Sequence, residues 1–207
     1  SKARSIKRSV SRLLSLSEEI VNFKQPNYCL KTQHSNLSAC LNAIVKVFEE
    51  TAINKGLILI SEFPPKLEAE FDPSIMEKIM FNLISNAIKY TGRGGEVKIR
   101  ASVNADTIRI SVQDSGAGIP EDELPLIFER FYRGKTARQN NGELGSGVGL
   151  DFTRELVQLH GGHIEVNSTI NKGSVFTFSL AQRPGAALPA YEDTMSITAD
   201  EDMSKTL

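Results

Sequence analysis

The sequence has 207 residues, 24 of them basic and 25 acidic, a formal net charge of −1 at pH 7 and 40% hydrophobic content. That length fits one domain with an appendage or two small domains, and the apolar content is ordinary for a soluble globular chain. Balanced charge argues against nucleic acid as a bulk electrostatic partner, and no apolar run approaches the roughly 20 residues that span a membrane, so no membrane contact is expected of this stretch.

Residues 1 to about 26 read as a long basic amphipathic helix. Ile6, Val10, Leu13, Ser17 and Ile20 alternate four and three apart, with Leu14 and Val21 beside them, and Pro26 ends the run. Such a helix is not stable alone. It must dock on the body of the chain or on a second copy, and a dimeric helical bundle is the expectation. The chain opens on Ser1 rather than Met, so a piece of a longer protein is expected. Cys29 and Cys40 make neither a disulfide framework nor a metal site, which points to a reducing, cytoplasmic compartment.

A polar connector over 25–35 leads to Asn36, which is placed to cap a second helix. Its apolar face is Leu37, Leu41, Ile44, Val45, Phe48 and Ala52, and Gly56 closes it in the left-handed conformation. Strands are expected over 57–63 and 67–71, separated by Pro64-Pro65. Asp72-Pro73 starts a third helix that runs to Tyr90. Residues 96–103 and 107–113 alternate as an antiparallel hairpin, and a short helix is expected over 121–130. Gly145-Ser146-Gly147-Val148-Gly149-Leu150 opens another helix to about His160, and strands follow over 163–168 and 174–180. From Pro184 the pattern dissolves into an acidic tail. The order predicts a two-layer α/β sandwich with a mixed, mainly antiparallel sheet. The expected division is 1–26 bundle helix, 36–182 main domain and 183–207 tail or linker.

The third helix turns a polar face outward. Asn82, Asn86, Lys89 and Tyr90 fall at helical spacing, while Ile79, Leu83, Ala87 and Ile88 form the apolar side. An Asn carbonyl suits a hard cation such as Mg²⁺, and a lysine suits phosphate. A solvated helix face is the plain alternative. Asp114 follows a strand and precedes Gly116 and Gly118, where a carboxylate accepts from an amine and glycines let a flat group approach. Gly145, Gly147 and Gly149 lead into a helix N-terminus, which suits phosphate. Each of these signals is weak alone.

Together they resemble the N, G1, F and G2 boxes of sensor histidine kinases and their Bergerat ATP-binding fold. The N box is Asn82-Leu-Ile-Ser-Asn86-Ala-Ile-Lys89-Tyr90-Thr91, and the G1 box is Asp114-Ser-Gly116-Ala-Gly118-Ile-Pro. The F box is Phe128-Glu-Arg130-Phe131-Tyr132-Arg133, and the G2 box is Gly145-Ser-Gly147-Val-Gly149-Leu150. The likeness covers residues 36 to 181. It implies that Asn86 coordinates Mg²⁺, Lys89 contacts phosphate, Tyr90 packs near the nucleotide and Asp114 binds the adenine amine. Gly145, Gly147 and Gly149 would wrap the phosphates, and Arg133 would reach the terminal one. Asn82, Gly116, Gly118, Ile119, Phe131, Ser146, Val148 and Leu150 complete the implied ATP site. Residues 119–144 would form a lid anchored by Phe128 and Phe131.

Hydrolases of the same fold place a Glu where this chain has Asn82. An amide cannot take a proton from water, so the resemblance implies phosphoryl transfer rather than hydrolysis. None of His34, His160 and His163 has the flanking residues of a phosphoacceptor. The implied activity is therefore transfer of the γ-phosphate of Mg·ATP to a histidine on a dimerisation helix outside this chain, for a response regulator, in a homodimeric parent. The rivals are an ATP hydrolase of the same fold and an ATP-holding docking module of the anti-sigma type.

Overall fold

The computed structural model describes residues 30–104, 106–134 and 147–181. The bundle helix expected over 1–26 and the tail expected over 183–207 lie outside them.

The first element is a strand, β1 (Gln33–Asn36), and it corrects the expected connector. It pairs antiparallel with β3 (Glu68–Phe71), with His34 opposite Glu70 and Asn36 opposite Glu68. The four residues are polar and carry no apolar alternation, so only the pairing partner reveals the strand. Asn36 also caps helix α1 (Leu37–Lys55), its side chain accepting from the Ala39 N–H. Gly56 ends α1 at φ 71°, as expected.

Five strands form the main sheet in the order β2 (Ile58–Glu62), β4 (Glu96–Val103), β5 (Thr107–Asp114), β7 (Gly173–Ala181), β6 (His163–Thr169). The β2–β4 pair is parallel and the rest are antiparallel. Register aligns Ile99 with Val112, Val112 with Phe176 and Ile110 with Phe178, so alternate residues make one continuous apolar face. The opposite face is polar. There Arg100 bonds both Glu62 and Gln113, and Arg109 bonds Glu165.

Helices α1, α2 (Pro73–Tyr90) and α3 (Gly149–Leu159) cover the apolar face. Asp72 starts α2 by accepting from the N–H groups of Ser74 and Ile75 at 2.9 and 3.3 Å. Ile75, Met76, Ile79, Met80, Leu83 and Ile84 of α2 are buried in the core with Phe71 and Phe178. Each such side chain contributes about 1.5–3 kcal/mol of burial free energy.

The helix expected over 121–130 is replaced by successive tight turns around a 3₁₀ element, Leu124–Leu126. Each turn joins an N–H to the carbonyl three residues back: Leu124 to Glu121, Leu126 to Glu123, Glu129 to Leu126 and Tyr132 to Glu129. Pro125 is the physical reason, since it lacks an N–H and its ring clashes with a preceding α-turn.

Candidate functional site

A cleft of about 220 Å³ lies between the C-terminal half of α2, the loop after β5 and the N-terminus of α3. Its walls follow from local structure. Because α2 buries 75, 76, 79, 80, 83 and 84 against the sheet, Asn82, Asn86, Lys89 and Tyr90 turn to the cleft. Ser85 joins them. The Lys89 ammonium lies 5.1 Å from the Tyr90 ring centroid, in cation–π range. Lys55 caps this end of α2, donating to the carbonyls of Ile88 and Lys89 at 2.6 and 2.7 Å. Nothing local in the sequence marked that cap.

Asp114 ends β5 opposite Ser174 of β7 and is only 6% exposed. Burial pushes its carboxyl above the ordinary carboxylate range, while hydrogen bonds from Gly116 and Ser174 pull the other way. The Gly116 N–H donates to Oδ1 at 2.8 Å. Gly116 itself does not line the cleft. It lies behind Asp114, where a Cβ would meet the Tyr90 carbonyl oxygen at 2.5 Å. Gly118 has φ 69°, and a Cβ there would run into the Thr169 carbonyl.

This loop is tied to the β6–β7 turn. The Ile119 N–H donates to Ser168 Oγ at 2.8 Å, and the Asn171 N–H donates to the Ala117 carbonyl at 2.8 Å. Ser168 Oγ in turn donates to the Gly173 carbonyl and lies 3.0 Å from Ser174 Oγ. Ile119, Leu150, Ile127 and Phe176 supply apolar surface to the same cleft. Phe128 packs edge-on against Phe176, with ring centroids 6.5 Å apart.

At the other wall, α3 begins at Gly149 with Val148 as cap residue, whose own side chain makes no cap hydrogen bond. Gly147 and Gly149 line the cleft, as do Tyr132, Arg133 and Gly134. Gly147 has φ 70°, and a Cβ there would meet the Tyr132 carbonyl oxygen at 2.7 Å. Asn82 reaches across to α3, its Nδ2 donating to Thr153 Oγ1 at 2.8 Å.

Three residues of the implied ATP site sit elsewhere. Phe131 does not line the cleft; it is 67% exposed, at φ 66°, with Arg130 over its ring. Its N–H donates to the Gly147 carbonyl, so its backbone rather than its ring serves this wall. Gly116 and Val148 support the walls from behind. Gly145 and Ser146 lie outside the described residues.

The sequence reading missed Ser174, Ser168, Thr153 and Glu123. Glu123 is 3% exposed, lines the cleft, and its carboxylate fills the space that a Cβ on Gly134 would need. The hydroxyl and carboxyl residues gave no signal because their partners are distant in sequence.

Among the described residues no group of three or more His, Cys, Asp and Glu could hold a metal. The Asn86 amide in the cleft still fits Mg²⁺, a cation commonly held by one or two protein oxygens together with phosphate oxygens.

Residues 71–184, more than half of the chain, match the family model described as histidine kinase-, DNA gyrase B-, and HSP90-like ATPase. The chain belongs to that family. Within it, the matched region is of the sensor histidine kinase type. The chain is 35% identical over 176 residues to sensor histidine kinase WalK of Bacillus subtilis, covering 84% of this chain and 28% of WalK. The catalytic domain of histidine kinase ThkA superposes with a TM-score of 0.65 at 29% identity, over 74% of this chain and 99% of that domain. ThkA bound to the response regulator TrrA gives 0.70 at 27% identity, covering 86% and 50% of the two chains. Full-length ShkA in complex with AMPPNP gives 0.73 at 26% identity, covering 89% and 39%. The chain thus spans little more than a quarter of WalK's length.

Proposed function

We propose that this chain binds Mg·ATP in the cleft and transfers its γ-phosphate to a histidine on a dimerisation helix of its parent protein. The observation that carries the reading is the one cleft that gathers Asp114, Asn86, Lys89, Arg133 and the start of α3. The AMPPNP complex of ShkA supports a nucleotide occupant.

Asp114 accepts from the exocyclic amine of adenine, and the glycines beside it let the ring approach the backbone. Ile119, Ile127, Leu150 and Phe176 exclude water around the base. Lys89, Arg133 and the first amides of α3 hold the phosphates, since anions favour a helix N-terminus. Asn86 supplies an oxygen to Mg²⁺, which neutralises phosphate charge when bound. Catalysis is then chiefly positioning and charge neutralisation. Asn82 cannot act as a base toward water, and its amide already donates to Thr153. That favours transfer over hydrolysis.

The acceptor lies outside this stretch. His160 is fully buried, with Nε2 accepting from the Asp72 N–H. His34 is exposed on β1 beside Glu68, and His163 starts β6. The parent would be a homodimer through the bundle helix at 1–26, with 36–182 as catalytic domain and 183–207 as tail or linker. A response regulator would receive the phosphoryl group, as the ThkA–TrrA complex supports. No helix among the described residues is long and apolar enough to cross a membrane, and a cytoplasmic site of action is proposed.

The test is label transfer from γ-labelled ATP with Mg²⁺ to the natural upstream segment, made separately in kinase-dead form. Acid-labile label on that segment, absent with an Asp114→Ala chain, is expected. ATP binding without any transfer would overturn the kinase reading in favour of a nucleotide-holding docking module.

A further inference from the structure

Helices α2 and α3 pack against each other beside the cleft, and one hydrogen-bonded chain joins them at its edge. Asn82 Nδ2 donates to Thr153 Oγ1 at 2.8 Å, and Thr153 Oγ1 donates to the Gly149 carbonyl at 2.9 Å. A hydroxyl has one proton, so its direction is fixed toward Gly149 and its lone pair faces Asn82. Thr153 is 1% exposed. The Asn82 amide oxygen fills the space that a Cβ on Gly149 would occupy. The two ends of the Asn82 amide therefore bear on α3, the oxygen at Gly149 and the nitrogen at Thr153 one turn later. Val148, at the cap of that helix, offers no side-chain cap hydrogen bond of its own.

We propose that Thr153 is a positioning residue that, through Asn82, sets the start of α3 and its phosphate-binding backbone at Gly147–Gly149. The proposal rests on the nucleotide reading of the cleft and deepens it. A threonine hydroxyl bonded only to the carbonyl four residues back is commonplace in helices. The bond from Asn82 is what converts it into a link between the helix that holds Mg²⁺ and the helix that holds phosphate. Among the described residues the Asp114 wall shares no hydrogen bond with Asn82 or Thr153, so adenine and phosphate contributions separate.

The experiment is calorimetric titration of the whole chain with adenosine and with Mg·ATP. Thr153→Val keeps the shape and removes the hydroxyl. It is expected to weaken ATP about five- to tenfold, the loss of roughly one hydrogen bond, and to leave adenosine affinity unchanged. Thr153→Ser restores the ATP value. Thr153→Ala, which inserts no new methyl, repeats the measurement if the valine chain does not fold. Equal weakening of adenosine and ATP, or no change in either, overturns the proposal. A wild-type chain that binds no adenine nucleotide sinks the nucleotide reading and this inference together. Wild-type binding abolished by Asp114→Ala, with Thr153→Val silent, sinks the inference alone.

Discussion

The two walls of the cleft are built differently. Around Asp114, four backbone segments are tied by hydrogen bonds: the end of α2, the Gly116–Ile119 loop, the β6–β7 turn and β7. Glycines there are forced by close backbone approach, at Gly116 against Tyr90 and at Gly118 against Thr169. At the start of α3 two side chains, Asn82 and Thr153, add to the backbone bond from Phe131 to Gly147 and to the close approach of Gly147 to the Tyr132 carbonyl. A wall of backbone suits a rigid base whose shape never changes. A wall fixed in part by side chains at a helix start suits phosphates, whose number and geometry change during transfer.

The sharpest way to break this contrast is at Asp114. Asp114→Ala removes a buried wall carboxylate held by the backbone N–H groups of Gly116 and Ser174. Adenine nucleotide affinity is expected to fall about tenfold to a hundredfold, by calorimetry, because hydrogen bonds to a charged acceptor carry about 1.5–3 kcal/mol. Gly118→Ala comes next. It forces a Cβ at φ 69° toward the Thr169 carbonyl, and thermal unfolding should show a loss of about 1–3 kcal/mol. Lys89→Ala should weaken ATP several-fold while sparing adenosine, since its ammonium is proposed to serve phosphate and not the base.

Smaller effects come from pH. The Asp114 carboxyl is raised by burial from an ordinary 3.8, so the fold holds that proton more tightly than the unfolded chain does. Its stabilising contribution is complete below the ordinary value and is lost as pH rises through the folded one. At pH 7 the ionised group therefore costs stability, and Asp114→Asn should melt no lower than wild type. ATP affinity should decline on acidification at a pH above the ordinary carboxylate range. His160 has the opposite sign. Burial lowers it from 6.5, against the nearby Asp72 charge, so its contribution is present above 6.5 and lost as pH falls. Melting temperature should drop below that pH, and His160→Gln should flatten the drop.

The same contrast explains what could be read in advance. Helices α1 and α2 announced themselves through caps that act within four residues, Asn36, Gly56 and Asp72-Pro73. The glycines and Asp114 were legible as a set through the family resemblance, and the fold class followed from alternating strands. β1 was not legible, because a polar tetrapeptide becomes a strand only when β3 lies beside it. Ser168, Ser174 and Thr153 were missed for a similar reason, as a hydroxyl acquires its role from a partner up to 71 residues away. Phe131 was expected inside the cleft, yet a positive φ turns its side chain outward and leaves its N–H to serve Gly147.

The most direct measurement compares ATP and GTP binding by wild type and Asp114→Asn in Mg²⁺. On the proposed reading the Asp114 carboxylate would accept from the amine of adenine and oppose the carbonyl oxygen of guanine. Wild type should therefore prefer ATP by about tenfold or more, and the asparagine chain should lose or reverse that preference without losing stability. Equal affinity of wild type for the two nucleotides, or an undiminished ATP preference in Asp114→Asn, would contradict the assignment of this cleft to adenine.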